Sequence, residues 1–392
     1  SIPEGYYYLD DGTEGTSVYF RPNSDLTLEL NTTEFDESIK YKGSIAAENN
    51  YLAEKTLLRE RFGNFNYYGY YGKLSEEDFI KITDSIFDIL VDLLNSKTGL
   101  SQNFAFIESK TLEFNRLKRF SEYEGTRRFV IGNEDFNVSE DFPNPFENVD
   151  LADERLLKSQ SYLGYIESYL RKKTLEKIST EKRKADYTIE YINTTKKEVT
   201  NSLIKEELLF SIGRRHLNHS NKFDSIYTQL IPELNNEKYI SIITEQYNKL
   251  KKIEKGATSP IFKLNDINGN LVSLTDLKGK LVYIDIWATW CLPCTKEIPS
   301  LKKMEEHFEG KDIQFVSICK RDTEERWRKM VSDENLGGIQ LFAPNDDIPF
   351  FKDYAVQGIP HFILIDRDGK IINANAKRPS DTTLTAEIQG YL

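Results

Sequence analysis

The spacing of hydrophobic residues divides this chain of 392 residues into three stretches. In residues 1–45, short aromatic or alternating runs are separated by polar turns: Tyr6-Tyr7-Tyr8-Leu9, Val18-Tyr19-Phe20, Leu26-Thr27-Leu28-Glu29-Leu30 and Ile39-Lys40-Tyr41. This pattern predicts antiparallel strands. In residues 46–254 the period becomes helical. Phe79, Ile82, Ile86, Ile89, Leu90 and Leu93 recur at three- and four-residue spacing and mark one apolar helix face. Tyr162-Leu163-Gly164-Tyr165-Ile166-Glu167 belongs to a second such stretch, and both read as packed helical core with solvated charged faces. The run Phe142-Pro143-Asn144-Pro145-Phe146 is a turn region that divides the helices into two groups. After Glu254-Lys255-Gly256-Ala257-Thr258-Ser259-Pro260, which reads as a linker, continuous apolar runs take over. Leu281-Val282-Tyr283-Ile284-Asp285-Ile286, Ile313-Gln314-Phe315-Val316-Ser317-Ile318 and Phe362-Ile363-Leu364-Ile365 have the character of buried strands. The expected organisation is therefore a short β segment (1–45), a mostly helical region (46–254) and an α/β domain (255–392).

Composition narrows the functional classes. The net charge of −11 lacks the basic footprint of a nucleic-acid binder, so no nucleic-acid partner is expected. No apolar run reaches the length of a bilayer span. The chain begins at Ser1 without a methionine, which reads as a processed or trimmed product and leaves open a signal or lipid anchor before it. With three cysteines there is no structural disulfide framework.

Two of those cysteines carry the chemistry. Trp287-Ala288-Thr289-Trp290-Cys291-Leu292-Pro293-Cys294 follows a buried strand and runs into helix-forming residues, which places Cys291 at a helix N-terminus. Unpaired backbone N–H groups and the helix dipole there favour a thiolate, the form that attacks disulfides. Cys291 is expected to be exposed and to attack; Cys294, one turn deeper, is expected to resolve the mixed disulfide. Zinc also uses Cys-x-x-Cys, but it needs a second ligand pair, and only Cys319 and four scattered histidines remain. No metal and no cofactor are expected. Asp285, inside the apolar strand, is expected to take the proton of Cys294 directly or through water, with its pKa raised by burial. Glu297, one turn beyond Cys294, is placed to tune both thiols. Cys319 ends the next apolar strand and reads as a buried small hydrophobe, with a redox role left open.

These residues resemble the thioredoxin superfamily, and more narrowly the TlpA/ResA-like exported thiol-disulfide oxidoreductases. The resemblance runs from near Ser259 to Leu392. Pro260-Ile261-Phe262-Lys263-Leu264 and Asp266-Ile267-Asn268-Gly269 look like that family's opening hairpin, and Lys278-Gly279-Lys280 leads into its first central strand. Asp285 matches the buried aspartate of thioredoxins, Glu297 a glutamate typical of the TlpA/ResA group and Pro299 the proline that kinks the active-site helix. Ile359-Pro360 matches the cis-proline loop facing the sulfurs, and Asp366-Arg367-Asp368-Gly369 a hairpin. The resemblance implies a thioredoxin-like α/β fold for 255–392 and a substrate-binding rim of Trp290, Pro293, Ile359 and Pro360. It also implies disulfide-containing protein substrates and an exported, periplasmic or membrane-anchored location. A membrane-spanning electron donor would recharge the protein. Leu292 replaces the glycine of ordinary thioredoxins, and His361, in place of the common threonine, reads as a surface histidine.

Two other classes stay open. A peroxiredoxin-like peroxidase shares the fold, but Ile284 and Ala288 occupy the Pro and Thr/Ser positions of its Pro-x-x-x-Thr/Ser-x-x-Cys pattern. A partner-binding protein with an accessory redox domain would explain the large N-terminal region. His216 and His219 share a helix face but read as a surface pair beside Arg214 and Arg215. The aromatic run Phe62 to Gly72 reads as a loop packed on its own domain.

Overall fold

The computed structural model describes the chain except residues 1, 11, 13, 64–67, 160, 182–185, 219–221 and 346. His219 and part of the aromatic run after Phe62 lie outside the described residues. Two compact units are distinguished, Ser1–Leu209 and Phe210–Leu392.

The first unit opens with the hairpin β1 (Gly5–Asp10) and β2 (Gly15–Phe20). A second pair, β3 (Thr27–Glu29) and β4 (Lys40–Lys42), flanks the short α1 (Phe35–Ser38). The alternating runs are thus strands, as their period requires. The helices α2 (Ala46–Arg61), α3 (Tyr68–Tyr71), α4 (Glu76–Ser96), α5 (Gln102–Ile131), α6 (Tyr162–Glu181) and α7 (Tyr187–Glu198) follow. No helix of eight or more residues interrupts 132–161 among the described residues, so the Phe142–Phe146 turn region does separate two helical groups. On α4 the buried stripe differs in detail from the one expected. Phe79, Thr83, Leu90 and Leu94 are buried, whereas Ile89 is 40% exposed. Steps of four, seven and four residues keep one face toward α5, and Ile89 falls off it. Glu108 of α5 is buried; it accepts from Lys55 (2.5 Å) and from the Tyr6 hydroxyl (2.7 Å), which ties β1, α2 and α5 together.

Helix α8 (Ser202–His216) leads into the second unit, which contains α9 (Phe223–Leu230) and α10 (Glu237–Lys252). The stretch read as a linker is pinned instead: Gly256 N donates to Ile371 O, Ile371 N to Ala257 O and Ser259 N to Gly369 O. Backbone groups here found strand partners, which composition alone does not reveal. The hairpin β5 (Lys263–Asp266) and β6 (Leu271–Ser273) comes next, then β7 (Leu281–Trp287), α11 (Leu292–Thr295) and α12 (Ile298–His307). The chain continues through β8 (Ile313–Lys320), α13 (Glu324–Asp333), β9 (Ile339–Ala343) and α14 (Pro349–Asp353). It closes with β10 (His361–Ile365), β11 (Ile371–Asn373) and α15 (Leu384–Gln389).

These strands form one seven-stranded sheet in the order β11-β10-β7-β8-β9-β5-β6. β7, β8 and β9 are parallel, and the flanking strands are antiparallel. A parallel centre must be covered on both faces, which is why β7 and β8 read as nearly unbroken apolar runs. Leu281 and Tyr283 of β7 pack with Leu301, Met304 and Phe308 beneath α12 and with Leu384 and Ile388 of α15. The strand period of two then places Asp285 and Trp287 on that same face. This is the thioredoxin-like α/β arrangement expected for the C-terminal part of the chain.

Candidate active site

The site forms where β7 ends. Cys291 is the N-cap of α11, Pro293 lies in its first turn, and Cys294 N donates to Cys291 Sγ at 3.3 Å. The two cysteines are joined as a disulfide with their Cα atoms 5.2 Å apart. Lys296 and Glu297 keep right-handed helical dihedrals, and α12 restarts with Pro299 in its first turn. The proline therefore interrupts the helix at the position the sequence indicated, since it has no N–H to continue the ladder.

Exposure differs from expectation. Cys291 and Cys294 are both only 4% exposed, whereas Trp290 (54%) and Leu292 (65%) stand out around them. In the disulfide, Cys291 Sγ folds back over the first turn, so the flanking apolar side chains carry the exposed surface. Two contacts hold this rim. Trp290 Nε1 donates to Arg321 O (2.7 Å), while Thr289 donates through N (2.7 Å) and Oγ1 (2.6 Å) to Asp322 Oδ2. Arg321 has φ +55, the left-handed conformation that turns β8 toward α13. Sequence reasoning missed Asp322; its place just after a strand end, two residues before a helix, was the available signal.

Ile359–Pro360 is a cis peptide bond. Ile359 packs against the cluster of Trp287, Ala288, Cys291 and Cys294, which brings this loop to the sulfurs. His361, read as a surface residue, is 7% exposed. It is the first residue of β10, opposite Ile286, and its Nε2 lies 2.9 Å from Ala374 O. Because a carbonyl only accepts, Nε2 carries the proton there.

Below the sulfurs lies a narrow cleft, lined among others by Asp285, Cys294, Glu305, Ser317 and Gln340. Asp285 faces this cleft, and its carboxyl is pushed up to about 8, first by burial and then by the negative charges of Glu297 and Glu305. Glu305 itself is pushed up to about 7 by burial, against the opposing pull of Lys302. Sequence reasoning missed Glu305. With Ile298, Leu301 and Phe308 it falls at positions 298, 301, 305 and 308, the apolar stripe of α12, and a carboxylate on such a stripe is the signal.

Glu297 is 8% exposed. It accepts from Ser380 N and Ser380 Oγ, both at 2.9 Å, with Arg378 at 4.0 Å. Its influence falls on Asp285, as that residue's raised pKa records. Cys319 is fully buried opposite Trp287, with Sγ 3.9 Å from Asp322 Oδ2. Burial, followed by the Asp322 charge, pushes its thiol well above the ordinary range. A buried thiol beside a carboxylate is unreactive.

The region that carries this chemistry coincides with the similarity to known proteins. A family model described as Redoxin matches residues 254–388. The thiol-disulfide oxidoreductase ResA of Bacillus cereus is 31% identical over 126 residues, which is 32% of this chain and 72% of that protein. The thioredoxin domain of a thiol-disulfide oxidoreductase from Bacteroides vulgatus is 31% identical. That match covers 35% of this chain and 97% of the domain, with a TM-score of 0.33. A thiol:disulfide interchange protein from a Bacteroides species is 30% identical, covering 36% of this chain and 91% of its own, also with a TM-score of 0.33.

Proposed function

The chain belongs to the thioredoxin superfamily as a ResA-like thiol-disulfide oxidoreductase, and we propose that it reduces disulfides of protein clients through Cys291 and Cys294. The observation that carries this reading is the linked pair at the start of α11, set under an exposed apolar rim and faced by the Ile359–Pro360 loop. In the dithiol form, the Cys294 N–H that now points at Cys291 Sγ stabilises a Cys291 thiolate. That thiolate attacks one sulfur of the client disulfide, and the other client sulfur leaves with the electron pair and takes a proton from solvent. Cys294 then loses its proton to Asp285 and attacks Cys291 Sγ. The second client sulfur departs as thiolate and Cys291–Cys294 closes.

The rim supplies recognition. Trp290 and Leu292 offer apolar surface to the segment flanking a client cysteine, and Pro293 shapes the turn between the sulfurs. The Ile359 backbone, beside Pro360, pairs with the client as a short β-bridge. Residues 255–392 are the redox domain in this reading, and Glu297 acts on the thiols through Asp285. Similarity to ResA supports an exported protein facing the periplasm and recharged by a membrane-spanning electron donor. Among the described residues no helix is long and apolar enough to cross a membrane.

Insulin reduction with dithiothreitol as the electron source tests this. The chain should accelerate it, Cys291→Ala should abolish the acceleration, and Cys294→Ala should accumulate a mixed disulfide at Cys291. Equal rates for the chain and the Cys291→Ala variant would sink the proposal.

A further inference from the structure

The register of the sheet sets three polar side chains in a row. Asp285 of β7 pairs with Ser317 of β8, and Ser317 with Gln340 of β9, all on the face covered by α12. Such a row in the apolar centre of a sheet is costly unless it is hydrogen-bonded or hydrated. All three line the cleft that reaches Cys294, as do Trp287 and Glu305. Trp287 Nε1 and Gln340 Oε1 are buried there without a hydrogen-bond partner among the described residues, one a donor and the other an acceptor. Gln340 Nε2 donates to Gly337 O (2.7 Å), which fixes the amide with its oxygen uncommitted. An orphaned donor and acceptor beside two carboxyls, in a narrow polar cleft, is the environment that holds a single bridging water.

Glu305 closes the other end. No hydrogen bond or ion pair to it forms among the described residues, and Lys302, one turn earlier, is drawn off to Glu334. Its carboxylate lies against Gly337 and Gly338, where an added Cβ at either position would meet it. Gly338 also has φ +62. Glu305 keeps partial exposure, so it faces solvent as well as the cleft.

We propose that this cleft is a hydrated proton pathway for Cys294, with Asp285 as its inner carboxyl and Glu305 as the outer one that exchanges protons with solvent. The inference rests on the thiol-disulfide reading above. When the Cys291–client mixed disulfide resolves, the Cys294 proton passes to Asp285, and from there through cleft water to Glu305 and out. The electron pair freed on Cys294 forms its bond to Cys291 Sγ, and the client thiolate carries away the pair of the broken bond. Glu305 touches no reacting sulfur; it is a positioning residue that acts through Asp285. The charged and titratable groups facing the path are few. Asp285 comes from β7, Cys294 from α11 and Lys302 from the helix of Glu305, with Glu297 acting on Asp285 from the start of α12. β8 presents Ser317 and, two residues on, the buried thiol of Cys319, β9 presents Gln340, and the Tyr283 hydroxyl belongs to the same face of β7 as Asp285. The raised protonation ranges of Asp285 and Glu305 agree with proton exchange near neutral pH.

The test uses the full chain and its near-isosteric Glu305→Gln variant, with tryptophan fluorescence confirming the fold and Glu305→Asp as a second variant. Stopped-flow mixing with a fluorogenic disulfide separates attack by Cys291 from resolution by Cys294. Glu305→Gln should slow resolution on the order of tenfold at pH 7 and change its pH profile, while attack by Cys291 stays unchanged. Glu305→Asp should recover part of the loss. Carbon-13 NMR should show the Asp285 carboxyl titrating at lower pH in Glu305→Gln, because a repelling charge has gone. An unchanged resolution profile, or equal slowing of both steps, overturns the pathway. If the unaltered chain forms no mixed disulfide at all, the oxidoreductase reading fails instead, so the two failures are distinguishable.

Discussion

Replacing Asp285 with asparagine should make the redox unit more stable, and increasingly so as pH rises. The fold raises the Asp285 carboxyl from 3.8 to about 8, so the folded chain binds this proton more tightly than the unfolded one. Its contribution is fully present below about pH 4 and is lost as pH climbs through about 8. At pH 5.5 the folded chain holds a proton that the unfolded chain has released, which costs about 2 kcal/mol. At pH 9 the carboxylate is ionised in both states and the penalty reaches at most about 6 kcal/mol, an upper limit because water in the cleft screens the charge. Between these pH values the chain should therefore lose about 3 kcal/mol relative to Asp285→Asn. Urea unfolding of the oxidised proteins measures this. All three tryptophans, Trp287, Trp290 and Trp327, lie in the second unit, so their fluorescence reports on that unit alone. A stability difference that does not change between pH 5.5 and 9 would refute the reasoning.

Three further outcomes are expected. Glu297→Gln removes the stronger of the two repulsions acting on Asp285, so the Asp285 titration followed by NMR should move to lower pH. Cys319 should resist iodoacetamide in the folded chain up to pH 9 and react only after unfolding; labelling at the rate of a free thiol would show that its burial is misjudged. In the first unit, Glu108→Ala leaves Lys55 buried without its carboxylate and should cost about 3 kcal/mol, read by far-UV circular dichroism during urea unfolding.

How much of this was legible in the sequence depended on whether a residue's role was local. The strands of 1–45 were visible because alternation is a one-strand property, and α4 because a helix stripe repeats along itself. Cys291, Cys294 and Pro299 were legible for the same reason, since the strand, turn and helix that hold them are contiguous. The turns Asp266 to Gly269 and Asp366 to Gly369 share one chemistry. In each, the aspartate Oδ1 accepts from the backbone two and four residues on, and the glycine has positive φ. Long-range features were hidden. Ser380, 83 residues from Glu297, takes up that carboxylate, and no spacing rule announces it. Asp285, Ser317 and Gln340 become a row only when three strands are set in register. His361 was misplaced because one histidine before an apolar run fits either a rim or a strand, and only the β7 pairing decides.

The central claim is a reversible dithiol–disulfide couple at Cys291 and Cys294 poised for reduction. Equilibrating the chain against glutathione or dithiothreitol, with the redox state read from tryptophan fluorescence, measures it directly. The account predicts a two-electron potential near that of thioredoxin, about −270 mV. A value near about −120 mV would make the protein an oxidant and contradict the assigned direction, and the absence of any reversible couple would contradict the enzyme reading altogether.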